Sequence, residues 1–453
     1  MIHGSIARRI ENPKPDMIAS GICQSGIAAA MASLQVFYNS STGLWDTANW
    51  WNAANALETT IQYSRLSDTL TYRGNVFNTF YQKPRYANFL NPWFRDDDGW
   101  WALTWIQAYD LTQNPRYLAQ AEQIFWDMTR GWDSVCGGGL YWHKRELNYK
   151  NAITNSLFLS VAAKLSLRSP TDARYREWAM RSWQWFNQSG MINQENLVND
   201  GLNSECRNNN QTTWTYNQGV LIGALVDLHR LTDDPKLLSQ AEAIADAAIV
   251  KLAPNGILRE PCEPNNDCGD DGPQFKGVMM RNLAELFAIS PKSTYRKFIN
   301  RNAQSIWNNR NVTNQFGLSW STAPDKADAK RQSSAIDALN AYLAINTRGT
   351  YSPYVETDSL TNFRVTVACS GHYDLAFRYA SGDNAVRYVH VDRIVNDRQL
   401  FPNTNNQLQT VKLNRVWLNA GENMVSVIFD LSKGGANSVS IQALSIEPSR
   451  TLK

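Results

Sequence analysis

Histidine, cysteine and charge are all scarce in this chain, and each scarcity closes off a class of function. Five histidines in 453 residues are scattered, and none of the six cysteines stands in a CxxC pair or a Cys/His cluster of zinc spacing. No metal centre is expected. Charged residues make up 19% of the chain and the formal net charge is +3, without basic blocks. That argues against a nucleic-acid interface and against a polybasic membrane patch. No apolar run reaches transmembrane length, and the tail SIQALSIEPSRTLK is not a lipid-anchor signal. The start, MIHGSIARRIENPKPD, has no apolar stretch of the kind a signal peptide needs. GxGxxG, P-loop, HExxH and GxSxG motifs are all missing, so no cofactor is expected. The triplet Gly137 to Gly139 leads into a short extended stretch and reads as a loop rather than a phosphate cradle.

Aromatic residues, by contrast, are plentiful: 17 Trp and 18 Tyr. A core can be filled with Leu and Ile, so this many indoles suggests that some present a flat apolar face to a ligand such as a sugar. Asn39, Asn187, Asn210 and Asn311 each head an Asn-x-Ser/Thr glycosylation sequon. Cys262 and Cys268 bracket a polar loop suited to a local disulfide, Cys136 and Cys206 are a second candidate pair, and Cys23 and Cys369 are left unassigned. Sequons and disulfides together suit a secreted, extracellular protein whose signal is not part of this sequence.

From residue 17 to 345 the apolar spacing predicts twelve helices. They fall near 17–38, 47–67, 74–83, 98–111, 115–131, 150–167, 171–188, 214–231, 235–252, 273–289, 292–308 and 331–345. YDLTQNPRYLAQAEQIF and HRLTDDPKLLSQAEAIA are two copies of one hairpin, with Pro115 and Pro235 at the first turn of the second helix. The first helix of each pair is the less charged, which predicts an inner and an outer layer. Six such pairs predict an all-α (α/α)6 barrel over residues 1–348. After it, short alternating runs such as FRVTVAC and NMVSVIFDL predict a small all-β sandwich over 349–453, entered through GTYSP.

The most unusual stretch is WFRDDDGWWALTWIQAYD, residues 93–110. Asp96, Asp97 and Asp98 stand at a helix start, where one acid caps free N–H groups. Three exceed what capping needs. The excess acids are either surface charge or a reactive pair, since a retaining glycosidase needs two carboxyl groups about 5 to 5.5 Å apart. Other predicted inner-helix starts carry Trp51 and Asn52; Tyr149, Lys150 and Asn151; Tyr216, Asn217 and Gln218; Asp271, Gln274 and Lys276; and Trp320 with Gln332. Gathered at one rim they would form an uncharged wall for a neutral polyol, and each can equally be a cap or core residue.

Several stretches resemble glycoside hydrolase family 76, the endo-α-1,6-mannanases, in its fungal branch. They are WWNAANALET, RDDDGWWALTWIQAYDLT, CGGGLYW, YKNAITNSLFLSVAAKL, TYNQGVLIGALVDL, GILREPCE, QFKGVMMRNLAEL and QSSAIDALNA. The resemblance covers residues 17 to 345. It implies an (α/α)6 barrel that cleaves α-1,6-mannosidic bonds inside mannan with retention, with Asp96 as nucleophile, Asp97 as acid/base and Asp98 free to cap the helix. The expected ligands are α-1,6-mannan or mannose-containing glycans, bound by a monomer. Trp51, Trp101, Tyr216 and Trp320 are the candidate sugar platforms; Asn52, Lys150, Asn151, Asn217, Gln218 and Lys276 are the candidate polar contacts. A wall transglycosylase and a non-catalytic mannan-binding protein are the alternatives. The C-terminal runs resemble carbohydrate-binding families 6 and 35, without the Glu-rich calcium loop of those modules.

Overall fold

The computed structural model describes residues 22–67, 69–82, 86–265, 267–346, 349–351, 355–357, 360–367, 369–392, 394–429 and 439–449. The basic N-terminal stretch and residues 352–353 of the GTYSP segment lie outside them. The chain divides into two compact units: Ser25–Tyr342, and Leu343–Lys453 together with the first 24 residues.

Helices make up the first unit: α1 (Gln24–Gln35), α2 (Trp50–Leu66), α3 (Arg73–Tyr81), α4 (Arg95–Thr112), α5 (Pro115–Thr129) and α6 (Ala152–Arg168). There follow α7 (Ala173–Gln188), α8 (Thr215–Thr232), α9 (Pro235–Lys251), α10 (Phe275–Ile289), α11 (Ser293–Asn308) and α12 (Ala329–Asn346). The duplicated hairpin is duplicated in its backbone as well. Gln113 and Asp233 both end the preceding helix with a φ of 57°, and Asn114 and Asp234 then cap α5 and α9 at the N–H groups of Arg116 (3.1 Å) and Lys236 (2.9 Å). The first helix ends earlier than its apolar pattern predicts, and residues 17–21 of that pattern lie outside the described residues. The helix stops at Gln35 because the chain turns into a two-stranded ribbon, β1 (Tyr38–Asn39) paired with β2 (Leu44–Trp45).

Burial separates two kinds of helix. Fourteen of the seventeen residues of α2 are buried, but only five of the fifteen in α5, so α2 is enclosed nearly all round and α5 on one face. The enclosed helices α2, α4, α6, α8 and α10 pack each against the next. Helix α12 joins α10 through Gly277 N–H to Ser334 Oγ (3.0 Å) and joins α2 through Thr59 Oγ1 to Asp337 Oδ1 (2.7 Å). The helices approach closely where glycine allows it: a Cβ on Gly219 would stand 2.5 Å from Met279 Cα, and one on Gly277 would stand 2.6 Å from Ser334 Cα.

The second unit holds β3 (Gly349–Tyr351), β4 (Val355–Thr357), β5 (Leu360–Val367), β6 (Gly371–Ser381), β7 (Ala385–Val391), β8 (Ile394–Phe401), β9 (Gln409–Leu418), β10 (Gly421–Ile428) and β11 (Val439–Pro448). They form antiparallel sheets of order β4-β5-β10-β7-β8 and β3-β11-β6-β9. Alternate residues, among them Phe363, Phe377, Val389, Leu418 and Leu444, point into one apolar core. RYVHVDRIV, one continuous run by pattern, is two strands, because Asp392 adopts a φ of 50° and turns the chain.

One buried cluster ties α2, α10 and α12 together. Arg281 reaches Glu58 Oε2 (3.3 Å) and Asp337 Oδ2 (3.6 Å) and donates to Asn55 Oδ1 (2.5 Å). Burial pushes the Asp337 carboxyl up to about 6, against the opposing pull of Arg281. Removing the single cation leaves two buried carboxyls facing each other. Arg281→Met is therefore expected to cost about 3 to 5 kcal/mol at pH 7, and less at pH 5, where Asp337 takes up a proton. Urea denaturation at the two pH values checks this; an equal loss at both would remove the electrostatic explanation.

Candidate active site

Helix α4 begins one turn earlier than its apolar pattern alone indicates. Phe94 is extended and pairs with His143, and the following Arg95 N–H meets Trp142 O at 3.0 Å. The Arg95 guanidinium donates to the carbonyls of Tyr141 (3.2 Å) and His143 (3.1 Å). Residues 141–143 are thus laid across the start of α4, and all three aspartates fall inside its first turn. Asp98 is not the cap: α4 has no side-chain capping bond, and Asp98 instead accepts the Asn91 backbone N–H (2.7 Å) and forms an ion pair with Lys144 Nζ (2.6 Å).

The other two acids face elsewhere. Asp96 is half-buried, its Oδ2 accepting Trp142 Nε1–H at 3.0 Å while its buried Oδ1 has no protein partner. Asp97 is buried and accepts the Asn91 side-chain amide through Oδ2. Burial pushes the Asp96 carboxyl up to about 7, with the Trp142 hydrogen bond opposing. Asp97 is held well above the usual carboxylate range by burial and then by the charge of Asp96. Asp98 is pushed up to about 7 by burial, against Lys144.

Aromatic rings bring the starts of α2, α4, α8 and α10 together beside this turn. Trp51 stacks on Trp100 (5.5 Å) and Phe275 (6.0 Å), and Tyr216 stacks on Phe275 at 3.9 Å. Trp51 Nε1 donates to Asp271 Oδ1 at 2.7 Å, and Asp271 is near enough to raise both Asp96 and Asp97. Tyr149 donates to Asp200, whose charge, with that of Asp96 and Asp271, bears on the Tyr216 phenol after burial. The wall is therefore not uncharged: Asp271, expected at this rim, is joined there by Asp200, and the two carboxyls are good acceptors for hydroxyl groups. Among the described residues no group of His, Cys, Asp or Glu could hold a metal ion.

Of the candidate contacts, Trp51 and Tyr216 stand in this aromatic wall, and Asn217 is buried beside Asp200. The others are occupied structurally. Trp101 is fully buried against Trp50 and Phe89, because one residue of helix turns it about 100° from Trp100. Asn52 donates to Gln274 (2.7 Å), Gln218 brackets Val198, and Asn151 caps α6 through Thr154 N–H (3.2 Å). Lys150 gives its ammonium to Asp133 and to the carbonyls of Val135, Gly138 and Gly139, fastening the glycine loop. Lys276 is fully buried between Glu263 (2.6 Å) and Leu318 O (2.7 Å), over the face of buried Trp320. Asn91, Trp142 and Asp200 were not singled out from the sequence. Trp142 lies within the CGGGLYW stretch, but nothing in the spacing marks Asn91 or Asp200.

Both candidate disulfides, Cys136–Cys206 and Cys262–Cys268, are present. Cys23 and Cys369 take part in neither, and Cys369 Sγ lies 3.3 Å from Ile22 O. Asn187 and Asn210 are exposed, whereas Asn39 and Asn311 are half-buried and bonded within their own turns.

In the folded chain both Asp96 and Asp97 hold protons more tightly than an unfolded carboxyl, which titrates near 4. The folded state thus binds more protons from about pH 4 up through pH 7, and stability falls as pH rises through that window. Asp97→Asn relieves the strain at no cost in shape. Its melting temperature is expected to exceed that of the native chain at pH 7.5 by about 2 °C or more, with the gap closing at pH 4.5. A native chain more stable than the variant at pH 7.5 would overturn this account of the pair.

Residues 24–353 match the model of glycosyl hydrolase family 76, and the chain belongs to that family. Among curated relatives, mannan endo-1,6-alpha-mannosidase DCW1 of Eremothecium gossypii is 27% identical over 284 residues, covering 57% of this chain and 63% of the relative. Mannan endo-1,6-alpha-mannosidase DFG5 of Candida albicans is 26% identical with the same coverage. The chain therefore spans less than two thirds of the length of either. Among solved structures, an inactive variant of an alpha-1,6-mannanase from Salegentibacter sp. HEL1_6, with two consecutive aspartates replaced and alpha-1,6-mannotetrose bound, aligns with a TM-score of 0.63 at 22% identity. The alignment covers 71% of this chain and 98% of that one. Dfg5 from Chaetomium thermophilum, in complex with glucosamine, aligns with a TM-score of 0.64 at 21% identity over 71% of this chain and 90% of the other. At these identities the likeness establishes the fold.

Proposed function

We propose that the chain is an endo-acting hydrolase of α-1,6-mannosidic bonds in mannan, working with retention on a closed (α/α)6 barrel. Asp96 is the nucleophile and Asp97 the acid/base. The observation that carries this reading is the pairing of two adjacent carboxyls, both pushed toward their protonated forms, beside an aromatic wall built from four helix starts. Family membership, the names of the curated relatives and the paired aspartates of the bacterial mannanase support it.

In this mechanism Asp97 donates its proton to the glycosidic oxygen as Asp96 attacks the anomeric carbon. Asp97 then takes a proton from water as the glycosyl-enzyme is hydrolysed. The division of labour follows the environments. Asp97 carries the stronger upward push and keeps its proton. Asp96 receives the Trp142 indole N–H and lies in the first turn of α4, where the helix dipole favours an anion. Trp51 and Tyr216 offer ring surface to the sugar, and Asp200 and Asp271 offer acceptors to its hydroxyls. No helix among the described residues is long and apolar enough to cross a membrane. We place the protein outside the cell, acting as a monomer. For the C-terminal sandwich we propose kinship with carbohydrate-binding families 6 and 35, on the resemblance of its runs alone and with no sugar site assigned to it.

Asp96→Asn and Asp97→Asn are each expected to lower the rate of reducing-end release from linear α-1,6-mannan by about a thousandfold or more. Product chromatography and anomeric NMR read the outcome. Full activity in either variant would sink the assignment. Products longer than the substrate would identify a transglycosylase, and binding without cleavage by the native chain would identify a mannan-binding protein.

A further inference from the structure

Asn91 precedes Asp97 by six residues, in the turn that leads into α4, and is 3% exposed. Its Oδ1 accepts the backbone N–H groups of Trp93 (2.8 Å) and Phe94 (3.3 Å). Only the oxygen of an amide can accept, so these two bonds leave the amide one orientation, with its NH2 turned to Asp97 Oδ2. The backbone of the same residue is held in turn. Asn91 N–H donates to Asp98 Oδ1 (2.7 Å), Asp98 Oδ2 pairs with Lys144 Nζ (2.6 Å), and Lys144 also reaches Asp127 Oδ2 on α5 (3.3 Å). Four residues, Asp127, Lys144, Asp98 and Asn91, thus run in series from an outer helix to the carboxyl of Asp97.

We infer that Asn91 is the positioning residue of the acid/base, an amide oriented by Trp93 and Phe94 and anchored through Asp98, Lys144 and Asp127. The inference rests on the assignment of Asp97 made above. Asp96, Asp98 and Asp271 all face Asp97 and all strengthen its hold on a proton, as burial does. The Asn91 N–H works the other way, because a donor stabilises the carboxylate. Lys144, the cation of this cluster, is committed to Asp98 and Asp127. An acid that must also serve as base in the second step needs such a counterweight: too tight a hold on the proton would slow its removal and stall deglycosylation. The Asp98 carboxyl, read from sequence as a helix cap, belongs to this chain of contacts.

Asn91→Asp tests the role with little change in shape. It keeps an oxygen for Trp93 and Phe94 and replaces the donor with a second carboxyl that must share a proton with Asp97. Asn91→Ala removes both functions. On α-1,6-mannan both variants are expected to lose about ten- to a hundredfold in kcat, with KM changed less than about twofold. The basic limb of the kcat/KM profile should move to higher pH in both. Asn91→Asp added to Asp97→Asn should lower the residual activity no further, because its target is gone. A basic limb left in its native position in both variants, or additive losses in the double variant, would overturn the proposal while leaving Asp97 its role. Full activity of Asp97→Asn alone would remove that role, and this inference with it. Melting temperatures taken on the same samples separate a folding defect, which lowers activity without moving the limb.

Discussion

The site depends on the register in which α4 starts. Successive residues of a helix turn by about 100°, so three consecutive aspartates cannot share an environment. Phe94 bridges to His143, and Arg95 is clamped to the carbonyls of Tyr141 and His143; with those two fixed, the three carboxyls are sent three ways. Asp96 meets the Trp142 indole, Asp97 meets the Asn91 amide, and Asp98 meets Lys144. A shift of one residue would hand each acid its neighbour's surroundings. The three-residue acidic run is thus one proposed reactive pair and one anchor, and the loop over the helix start decides which is which.

The same economy governs the inner helices. They are enclosed on nearly all sides, so polar residues on them must find partners in neighbouring helices or be left unsatisfied. Arg281 with Glu58, Asp337 and Asn55, Lys276 with Glu263, and Lys150 with the carbonyls of the glycine loop are the results. Arg281 joins three helices at mid-length, while Lys276 and Lys150 fasten loops at the starts of α10 and α6. Burial raises the proton affinity of Asp98 and Asp337 as well, but each of those has a cation beside it, Lys144 and Arg281, that pulls the other way; at Asp96 and Asp97 the opposing contacts are hydrogen bonds from Trp142 and Asn91 instead. The stability surrendered at that pair near neutral pH is the counterpart of the reactivity proposed for it.

Much of the fold was legible because its signals are local. Twelve periodic segments, the paired Pro115 and Pro235 turns and the change to alternating runs after residue 348 each depend on neighbours in sequence. The candidate contacts fared unevenly for a physical reason. A residue at the start of an inner helix faces either the rim or the adjoining helix, and sequence spacing does not distinguish them. Trp100 and Trp101 are adjacent and equally apolar, yet one stacks with Trp51 and Tyr216 and the other is sealed against Trp50 and Phe89. Lys150, Lys276, Asn52, Asn151 and Gln218 looked like ligands for a polyol and are bonded within the scaffold, whereas Asn217 stays beside Asp200.

What the sequence by itself determined is the set of parts: helical pairs, a separate β module, an acidic run opening an aromatic helix, and the local Cys262–Cys268 disulfide. Periodicity, turn chemistry and residue type suffice for these, since each reports on a few successive residues. The tertiary structure alone decided the partners of each acid, because Asn91, Trp142, Lys144 and Asp271 come from three separate loops. It also showed that Asp98 is an anchor rather than a cap. Proton affinity in a buried carboxyl depends on desolvation and on charges near in space, and neither is written in the order of residues along the chain.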